Sequence, residues 1–301
     1  MIRLFLLLLV ISGTTSYAQI GADGTGVVNG YFIGPNANLT GANLAGASFT
    51  NFQLATGANL TGANLTGADL TGAVLIGVNL TGANLNNADL SGANLTGVRS
   101  GNITGNPILP SGYQMLNGYI VGPSADLRDA DLSWLPLMGA DLSNANLTNA
   151  DLTLSSLSGA DLSNANLSNA NLTSTRSGNI TGTPALPSGY QMRNGHIVGP
   201  GVNLIFANLS DTNLTDIDLT GVLSANIIGI PTLPSGYLIH NGYILGPGAV
   251  FYGNNVDLSD TDLTGINLTG ADLTGVRSGN ITGIPTLSPD YQMLGGYIVG
   301  P

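Results

Sequence analysis

Leucine recurs at every fifth position from Leu127 to Leu172 without interruption. Five residues turn an α-helix by about 140° beyond one full turn, so successive Leu side chains would not build one face. In a flat strand an odd step places successive side chains on opposite faces. Only a backbone that bends once in each pentad returns every Leu to the same interior. The pattern therefore predicts an all-β solenoid, in which a coil of short sides stacks on itself.

The pentad also assigns its other positions. Ala two residues before each Leu points inward and must be small, because Leu fills the interior. Asn or Asp just before Leu lies outside, and Thr, Ser, Gly or Asn after it suit the corners. The predicted core is best defined in the unbroken tract, where it contains Leu127, Leu132, Leu142, Leu147, Leu152, Leu162, Leu167 and Leu172.

Tandem Ala-Asn/Asp-Leu-x-x, as in Ala125-Asp126-Leu127 and Ala130-Asp131-Leu132, resembles the pentapeptide-repeat family. The resemblance implies a right-handed quadrilateral β-helix with four pentads in each turn. Trp134 and Pro136 depart from the pattern, which puts local regularity in doubt but leaves the expected fold unchanged.

A second repeat of constant length separates the pentapeptide tracts. Its four copies share Ser-Gly-Asn-Ile-Thr-Gly, or a close variant, at the start and Gly-Tyr-Ile-Val-Gly-Pro, or a close variant, at the end. Asn117-Gly118 between two apolar triplets is typical of a two-residue β-hairpin turn, and the same signal recurs in the other copies. We interpret each copy as a hairpin module. The alternative is an irregular coil of the same solenoid with Asn-Gly at a corner.

These repeats predict the organisation of the whole chain. The copy ending at Pro301 either caps the solenoid or continues into a longer array, and the sequence favours neither. The expected segments are a signal peptide at 1–18, a half module at 19–35, pentapeptide tracts at 36–99, 124–176, 201–223 and 248–277, and modules at 100–123, 177–200, 224–247 and 278–301.

The first eighteen residues have the three parts of a secretory signal: Arg3, an apolar run from Leu4 to Ile11, and the small-residue site Ser16-Tyr17-Ala18. The run is far shorter than the roughly 20 residues that span a bilayer. We expect cleavage after Ala18, no membrane span, and a secreted, periplasmic or cell-surface location.

Charge excludes direct nucleic-acid binding. The 301 residues include six Arg and no Lys against seventeen Asp and no Glu, and the formal net charge is −11. Binding to phosphates needs clustered cations, which six scattered Arg cannot supply. The 44 Gly and the scarcity of strong helix formers argue against helical bundles.

The inventory of catalytic groups is nearly empty. The chain has no Cys, no Lys and no Glu, and both of its histidines, His196 and His240, fall in modules where we expect structural roles. No nucleophile, base and orienting acid are suggested at any spacing, and no phosphate-binding Gly loop precedes a helix. We therefore expect no enzymatic activity and no cofactor.

Asp columns offer one metal hypothesis. With four pentads in each coil, Asp131 stacks on Asp151 and Asp141 on Asp161, so their carboxylates would raise one another's pKa or hold Ca²⁺. We favour the simpler interpretation that Asp exchanges freely with Asn at a hydrated outward position, and expect no metal site.

Arg99, Arg176 and Arg277 each precede a module by one residue, and Leu223 occupies this position before the third. We expect these Arg side chains to neutralise nearby Asp side chains or carbonyl groups.

Three functional hypotheses follow. The leading one is a secreted, non-enzymatic solenoid that acts as a structural or adhesive scaffold for an unidentified protein or cell-surface polymer. The alternative rests on the resemblance, because some pentapeptide-repeat proteins imitate duplex DNA and occupy DNA gyrase, and the acidic charge is compatible with such mimicry. A third, binding to ice or polysaccharide through Thr columns such as Thr61 and Thr81, needs a regular array that the sequence only partly offers.

Overall fold

The computed structural model describes residues 19–20, 25–50, 56–252 and 256–301. These residues form only short strands, isolated bridges and turns, without a helix, and the described part of the chain contains no helix able to span a bilayer. Two compact units are present. One contains the described residues up to Asn94 together with Ile103–Pro110, and the other contains Leu95–Asn102 and Ser111–Pro301. The predicted signal peptide, residues 1–18, lies outside the described residues.

Each pentad bends at a four-residue turn that begins at its Leu. In the pentad of Leu60, the Ala63 backbone N–H donates to the Leu60 carbonyl at 3.0 Å. Gly62, the third residue of this turn, has φ of +65°, as in a type II turn. The left-handed residue produces the bend that period five requires, so the Leu of every pentad returns to the interior.

Successive coils stack as parallel strands at a regular offset of four pentads. Asn59 bridges Asn79, and Asp131 bridges Asp151 in the other unit. The Leu60 N–H donates to the Asn79 carbonyl at 2.8 Å, and the Asn79 N–H donates to the Ala58 carbonyl at 3.0 Å. Four pentads therefore complete one coil, and the next coil satisfies the backbone groups that its predecessor leaves open.

Leu and Ala side chains fill the coil interior. In the second unit, one apolar cluster extends from Val121 through the unbroken Leu tract to Ile197. The eight Leu residues of the predicted core are at most 1% exposed. Ala150, Ala160 and Ala165, two residues before their Leu partners, are equally buried. Alternation of small and large inward side chains lets both positions of each side share the narrow interior.

The named strands lie mainly in the hairpins. All pair as antiparallel neighbours except β8 and β11, which pair in parallel. They are β1 Gln19–Ile20, β2 Gly26–Val28, β3 Tyr31–Ile33, β4 Gln114–Leu116, β5 Tyr119–Val121, β6 Gln191–Arg193, β7 His196–Val198, β8 Leu223–Ser224, β9 Leu238–His240, β10 Tyr243–Leu245, β11 Val250–Phe251, β12 Gln292–Leu294 and β13 Tyr297–Val299.

Each Asn-Gly pair turns a hairpin, as its sequence signal predicts. Asn117 and Gly118 have φ of +47° and +77°, and β4 pairs with β5 across them. Positive φ at both central residues is the pattern of a type I′ turn, which matches the twist of paired strands. The same turn joins β6 to β7, β9 to β10 and, with Gly295-Gly296, β12 to β13.

The front half of a module continues the solenoid instead of leaving it. In the second copy Thr181 bridges Asp161, and Ala185 bridges Asn166. The coil then reaches Asn203, which bridges Arg176 at a longer offset than the four pentads of a regular coil. The hairpin is thus inserted between two stretches that pair with the preceding coil. The hairpin interpretation is right for the second half of the module, and the alternative is right that the first half belongs to the coil but wrong in placing Asn-Gly at a corner of it.

Three contacts hold the hairpin in place, one to the start of the module and two across the base of the hairpin. The first Ser of the module accepts a hydrogen bond from a hairpin N–H, so that Ile197 N lies 2.9 Å from Ser177 Oγ. Tyr190 donates its hydroxyl hydrogen to the Pro200 carbonyl at 2.9 Å. The Tyr190 ring packs so close to Gly199 that a Cβ there would lie 2.4 Å from the ring. The other three full copies of the module repeat the Ser and Gly contacts.

Candidate interaction surface

The outward Asn and Asp side chains close turns of their own. Asn59 Oδ1 accepts hydrogen bonds from the Thr61 backbone N–H at 3.1 Å and from Thr61 Oγ1 at 2.6 Å. Asp161 makes the same pair of contacts with Ser163. Such Asx turns need a side-chain oxygen acceptor and a backbone N–H two residues later, and a Thr or Ser at that position adds a second hydrogen bond from its hydroxyl. The Asn-x-Thr pattern is therefore accounted for by the local geometry of the pentad.

Polar contacts also connect neighbouring coils on the outside. The Asn171 side-chain amide donates to Thr153 Oγ1 at 2.8 Å, and the Asn149 amide donates to Asp129 Oδ1 at 3.1 Å. These side chains line the surface in registered rows that follow the coil stacking. The surface is polar, and much of its hydrogen-bonding capacity is used within the protein.

The Asp columns form as expected, but their electrostatics differ from the expectation. Asp131 bridges Asp151, and Asp141 bridges Asp161, in parallel ladders. The expectation that stacked carboxylates would raise one another's pKa is wrong for Asp131 and Asp161, whose pKa values are lowered by hydrogen bonds from the Ser133 and Ser163 side chains. Hydroxyl and backbone N–H donors stabilise the charged form more than burial disfavours it. Within the described ranges, no group of three or more metal-binding side chains could hold an ion.

Both histidines contact backbone carbonyl groups. His196 is 7% exposed, and its Nδ1 lies 3.1 Å from the Ser177 carbonyl. Burial lowers the pKa of His196, so the ring is neutral at neutral pH. His240 Nε2 lies 3.1 Å from the Asp257 carbonyl and also 3.1 Å from Thr261 Oγ1. The geometry assigns both side chains to the attachment of hairpins to coils.

Two of the three recurrent Arg residues lie beside Asp. Arg99 Nη2 is 3.6 Å from Asp129 Oδ2. The backbones of Arg277 and Asp257 form a parallel β-bridge. The pKa of Asp257 is lowered mainly by a hydrogen bond from the Ser259 side chain and further by the charge of Arg277. The expectation that these Arg side chains neutralise acidic neighbours therefore describes Arg99 and Arg277.

Arg176 does not pair with the Asp side chain of any described residue, which was one of the two partners expected for it. Its guanidinium carbon lies 5.9 Å from the centroid of the Phe206 ring, a cation–π arrangement. No carboxylate oxygen of a described residue lies within 4.0 Å of the guanidinium. Phe206 is 57% exposed, so the pair lies at the surface. The sequence offered no sign of this contact, because Phe206 is distant along the chain and only the lengthened coil places it there.

Three bulky apolar residues occupy left-handed corners, where Gly and Asn prevail. Trp134, Leu154 and Phe206 have φ of +63°, +59° and +61°. Trp134 and Leu154 occupy the same corner of successive coils, because the Trp134 N–H donates to the Thr153 carbonyl and the Leu154 N–H to the Thr173 carbonyl. Trp134 is 72% exposed. A large side chain with positive φ is a strained outlier, and exposure removes any packing gain that would offset the strain.

The family model described as Pentapeptide repeats matches in eight copies, over residues 35–54, 58–97, 137–173, 201–222 and 254–277, just under half of the chain. The chain therefore carries pentapeptide repeats. No curated protein compared with the chain matches it.

Several solved pentapeptide-repeat structures resemble the chain. HetL from the cyanobacterium Nostoc sp. strain PCC 7120, described as involved in heterocyst differentiation regulation, is 24% identical over 83% of this chain and 88% of its own, with a TM-score of 0.23. Rfr23 from the cyanobacterium Cyanothece 51142 is 25% identical over 50% of this chain and 87% of its own, with a TM-score of 0.17. QnrB1, a plasmid-mediated fluoroquinolone resistance protein, is 19% identical over 50% of this chain and 79% of its own, with a TM-score of 0.19.

Proposed function

We propose that this protein is a secreted, non-enzymatic solenoid, a right-handed quadrilateral β-helix, that serves as a structural or adhesive scaffold. It binds a protein or a cell-surface polymer through exposed side chains at its corners. The repeated pentads supply a rigid support. Export of the chain, with cleavage of the signal peptide after Ala18, places that support outside the cytoplasm.

The observation that carries the proposal is the apolar corner formed by Trp134 and Leu154. A left-handed conformation costs an L-residue with a Cβ roughly 1–2 kcal/mol, a cost that Gly at the same corners avoids. Exposure of an indole ring to water adds a further cost. Two such residues at one corner of neighbouring coils therefore lower stability, and contact with a partner would offset that loss.

The polar surface supports a scaffold more than a catalyst. Outward Asn, Asp, Thr and Ser side chains form hydrogen bonds within Asx turns and to neighbouring coils, as Asn59 and Asn171 illustrate. His196 is buried and neutral against a backbone carbonyl. Catalysis by a nucleophile and base needs convergent groups that are free to react, and these groups are occupied.

Location is the first test. We expect fractionation of producing cells and N-terminal sequencing to give a chain that starts at Gln19 outside the cytoplasm. An intact chain from Met1 in the cytosol would contradict export. A gyrase supercoiling assay would then decide whether the acidic DNA-mimic alternative applies.

Binding is the second test. The labelled mature chain is sedimented with envelopes isolated from producing cells, beside a Trp134→Asn/Leu154→Asn double variant. Asn suits positive φ, so the melting temperature of the variant should stay equal or rise while binding weakens at least roughly tenfold. Asn144→Gly/Asn164→Gly, which changes two other left-handed corners, is the matched control and should bind normally. Equal binding by all three proteins would refute a role for the apolar corner.

A further inference from the structure

Arg99 and Arg176 precede their modules in the same backbone geometry, but each faces a different residue. The Arg99 backbone forms a parallel β-bridge with Asp126, and the Arg176 backbone forms one with Asn203, in each case across an inserted hairpin. Asp129 follows Asp126 by three residues, and Phe206 follows Asn203 by three residues. Their φ values are +60° and +61°. The two corners are thus internal counterparts, and the chain itself supplies the comparison.

The difference leaves Arg176 without an acidic partner among the described residues. Arg99 lies 3.6 Å from the Asp129 carboxylate, whereas Arg176 lies over the Phe206 ring at 5.9 Å. A ring quadrupole attracts a cation but does not cancel its charge. In a chain with a formal net charge of −11, Arg176 is an exposed guanidinium with its planar fork available. That fork suits a carboxylate, which accepts two parallel N–H bonds.

A cavity adjoins this guanidinium. It has a volume of about 250 Å³ and is lined by Arg176, Asn179, His196, Phe206 and Asn208, among others. In the described structure, neither the Asn179 nor the Asn208 side-chain amide nitrogen donates to another residue. Asn208 Oδ1 is instead held by the Ser210 N–H at 3.1 Å. The amides add free donors beside the Arg, and the neutral His196 adds no charge.

We propose that this cavity binds a small monocarboxylate that has a flat face. The Arg176 guanidinium receives the carboxylate, the Asn179 and Asn208 amides donate to its oxygens or to hydroxyl groups, and the Phe206 ring packs on the flat face. The acidic field of the protein repels polyanions, which restricts the ligand to a single negative charge. The cavity volume restricts it to the size of one ring.

The test uses two probes of the shared chemistry, benzoate and glucuronate, titrated into the mature chain by calorimetry. Binding of benzoate alone identifies an aromatic acid as the ligand class, and binding of glucuronate alone identifies a sugar acid. Benzyl alcohol is the uncharged control and should bind at least roughly tenfold more weakly than benzoate. Failure of both acids to bind, or equal binding of benzyl alcohol, would overturn the proposal.

Phe206→Asp supplies the decisive variant, because it converts the corner to the Arg99–Asp129 arrangement. Asp tolerates positive φ better than Phe, so the variant should melt at the same or a higher temperature. Its carboxylate neutralises Arg176, and affinity should fall at least roughly tenfold. Undiminished affinity in this folded variant would refute the role of the pair.

Two further variants complete the design. Arg176→Leu introduces the residue type that Leu223 provides before the third module, and affinity should likewise fall at least roughly tenfold. Asp129→Phe should create the second cation–π pair and with it a second, weaker stoichiometric site. Unchanged affinity in Arg176→Leu would overturn the assignment. Because none of these changes touches Trp134 or Leu154, failure of this site would leave the scaffold proposal intact.

Discussion

At the scale of single residues, the pentad depends on one left-handed position. The second residue after the Leu of nearly every described pentad has positive φ, and Gly or Asn fills most of these corners. Gly lacks a Cβ, and Asn tolerates this region, so both reduce the conformational cost of the bend. Where Trp134, Leu154 and Phe206 stand instead, the conformational cost of the bend is not reduced.

The first prediction concerns an ordinary corner. Asn169, with φ of +59° and an exposed side chain, lies in the unbroken tract. Asn169→Ala should lower the free energy of unfolding by about 1 kcal/mol, because Ala disfavours left-handed backbone, whereas Asn169→Gly should be neutral or slightly stabilising. Urea titration of both variants measures the difference. Equal stability of the Ala and Gly variants would mean that the corner bears no strain.

The second prediction compares an inward and an outward position of one pentad. Leu147 is fully buried, so Leu147→Ala should cost about 2–5 kcal/mol through lost burial and a cavity. Asn146 Oδ1 accepts from the Thr148 N–H and hydroxyl, and Asp would accept the same two bonds. Asn146→Asp should therefore be nearly silent in thermal melts. A large loss in the Asp variant would show that the amide nitrogen of Asn146 also matters.

These residue roles were only partly accessible to sequence reasoning. Inward Leu and Ala follow from period five, because an interior must be apolar and narrow. The role of Asn and Asp side chains as hydrogen-bond acceptors was not foreseen, since the repeated sequence shows small polar residues but not their hydrogen-bond partners. The contact of Arg176 with Phe206 was not predicted, because residues so far apart in the sequence become neighbours only once the length of the coil is known.

At the scale of elements, the module is a coil side followed by an inserted hairpin. Asn117-Gly118 encodes the turn locally, since both residues accept positive φ. The attachment of the hairpin is not local. Ser100 Oγ accepts from the Ile120 N–H at 2.9 Å, although the two residues are separated by most of the module. The shared Ser of the four copies therefore has a structural role, which the sequence showed only as repeated text.

The third prediction tests the packing of Tyr on Gly in the second module. Gly199→Ala should destabilise the protein by about 1–3 kcal/mol, because the new Cβ would overlap the Tyr190 ring. Tyr190→Ala removes both the ring and its hydroxyl bond to the Pro200 carbonyl, so it should also destabilise. The loss of unfolding free energy in the double variant should be smaller than the sum of the two single losses by about 1 kcal/mol or more. Strict additivity in denaturant titrations would show that the two residues do not interact.

At the scale of the whole molecule, the acidic surface gives stability a pH dependence of definite sign. Hydrogen bonds from neighbouring hydroxyl groups lower the pKa of Asp69, Asp131, Asp161 and Asp262. A carboxyl whose pKa is lower in the folded than in the unfolded chain stabilises the fold above the unfolded value of about 3.9. That contribution is lost as the pH falls through the folded value.

The fourth prediction follows from this sign. The melting temperature should stay level at neutral pH and fall once the pH drops below about 4. An Asp69→Asn/Asp131→Asn/Asp161→Asn variant retains the Oδ1 acceptors but cannot titrate at these positions, so its melting temperature should fall less. Calorimetric scans at several pH values measure both curves. Parallel curves for the two proteins would show that these carboxylates do not set the acid response.

The amino-acid sequence by itself determined the interior and the hairpin turns. Period five admits only a backbone that bends at every pentad, and Asn-Gly satisfies a turn that needs two positive φ values, so both are properties of a few adjacent residues. Tertiary structure alone decided which outward side chains meet. An inserted hairpin lengthens a coil beyond its regular four pentads, and the pairing across it places Asp129 beside Arg99 but Phe206 beside Arg176. Contacts of this kind depend on how coils close in space, and no local pattern records them.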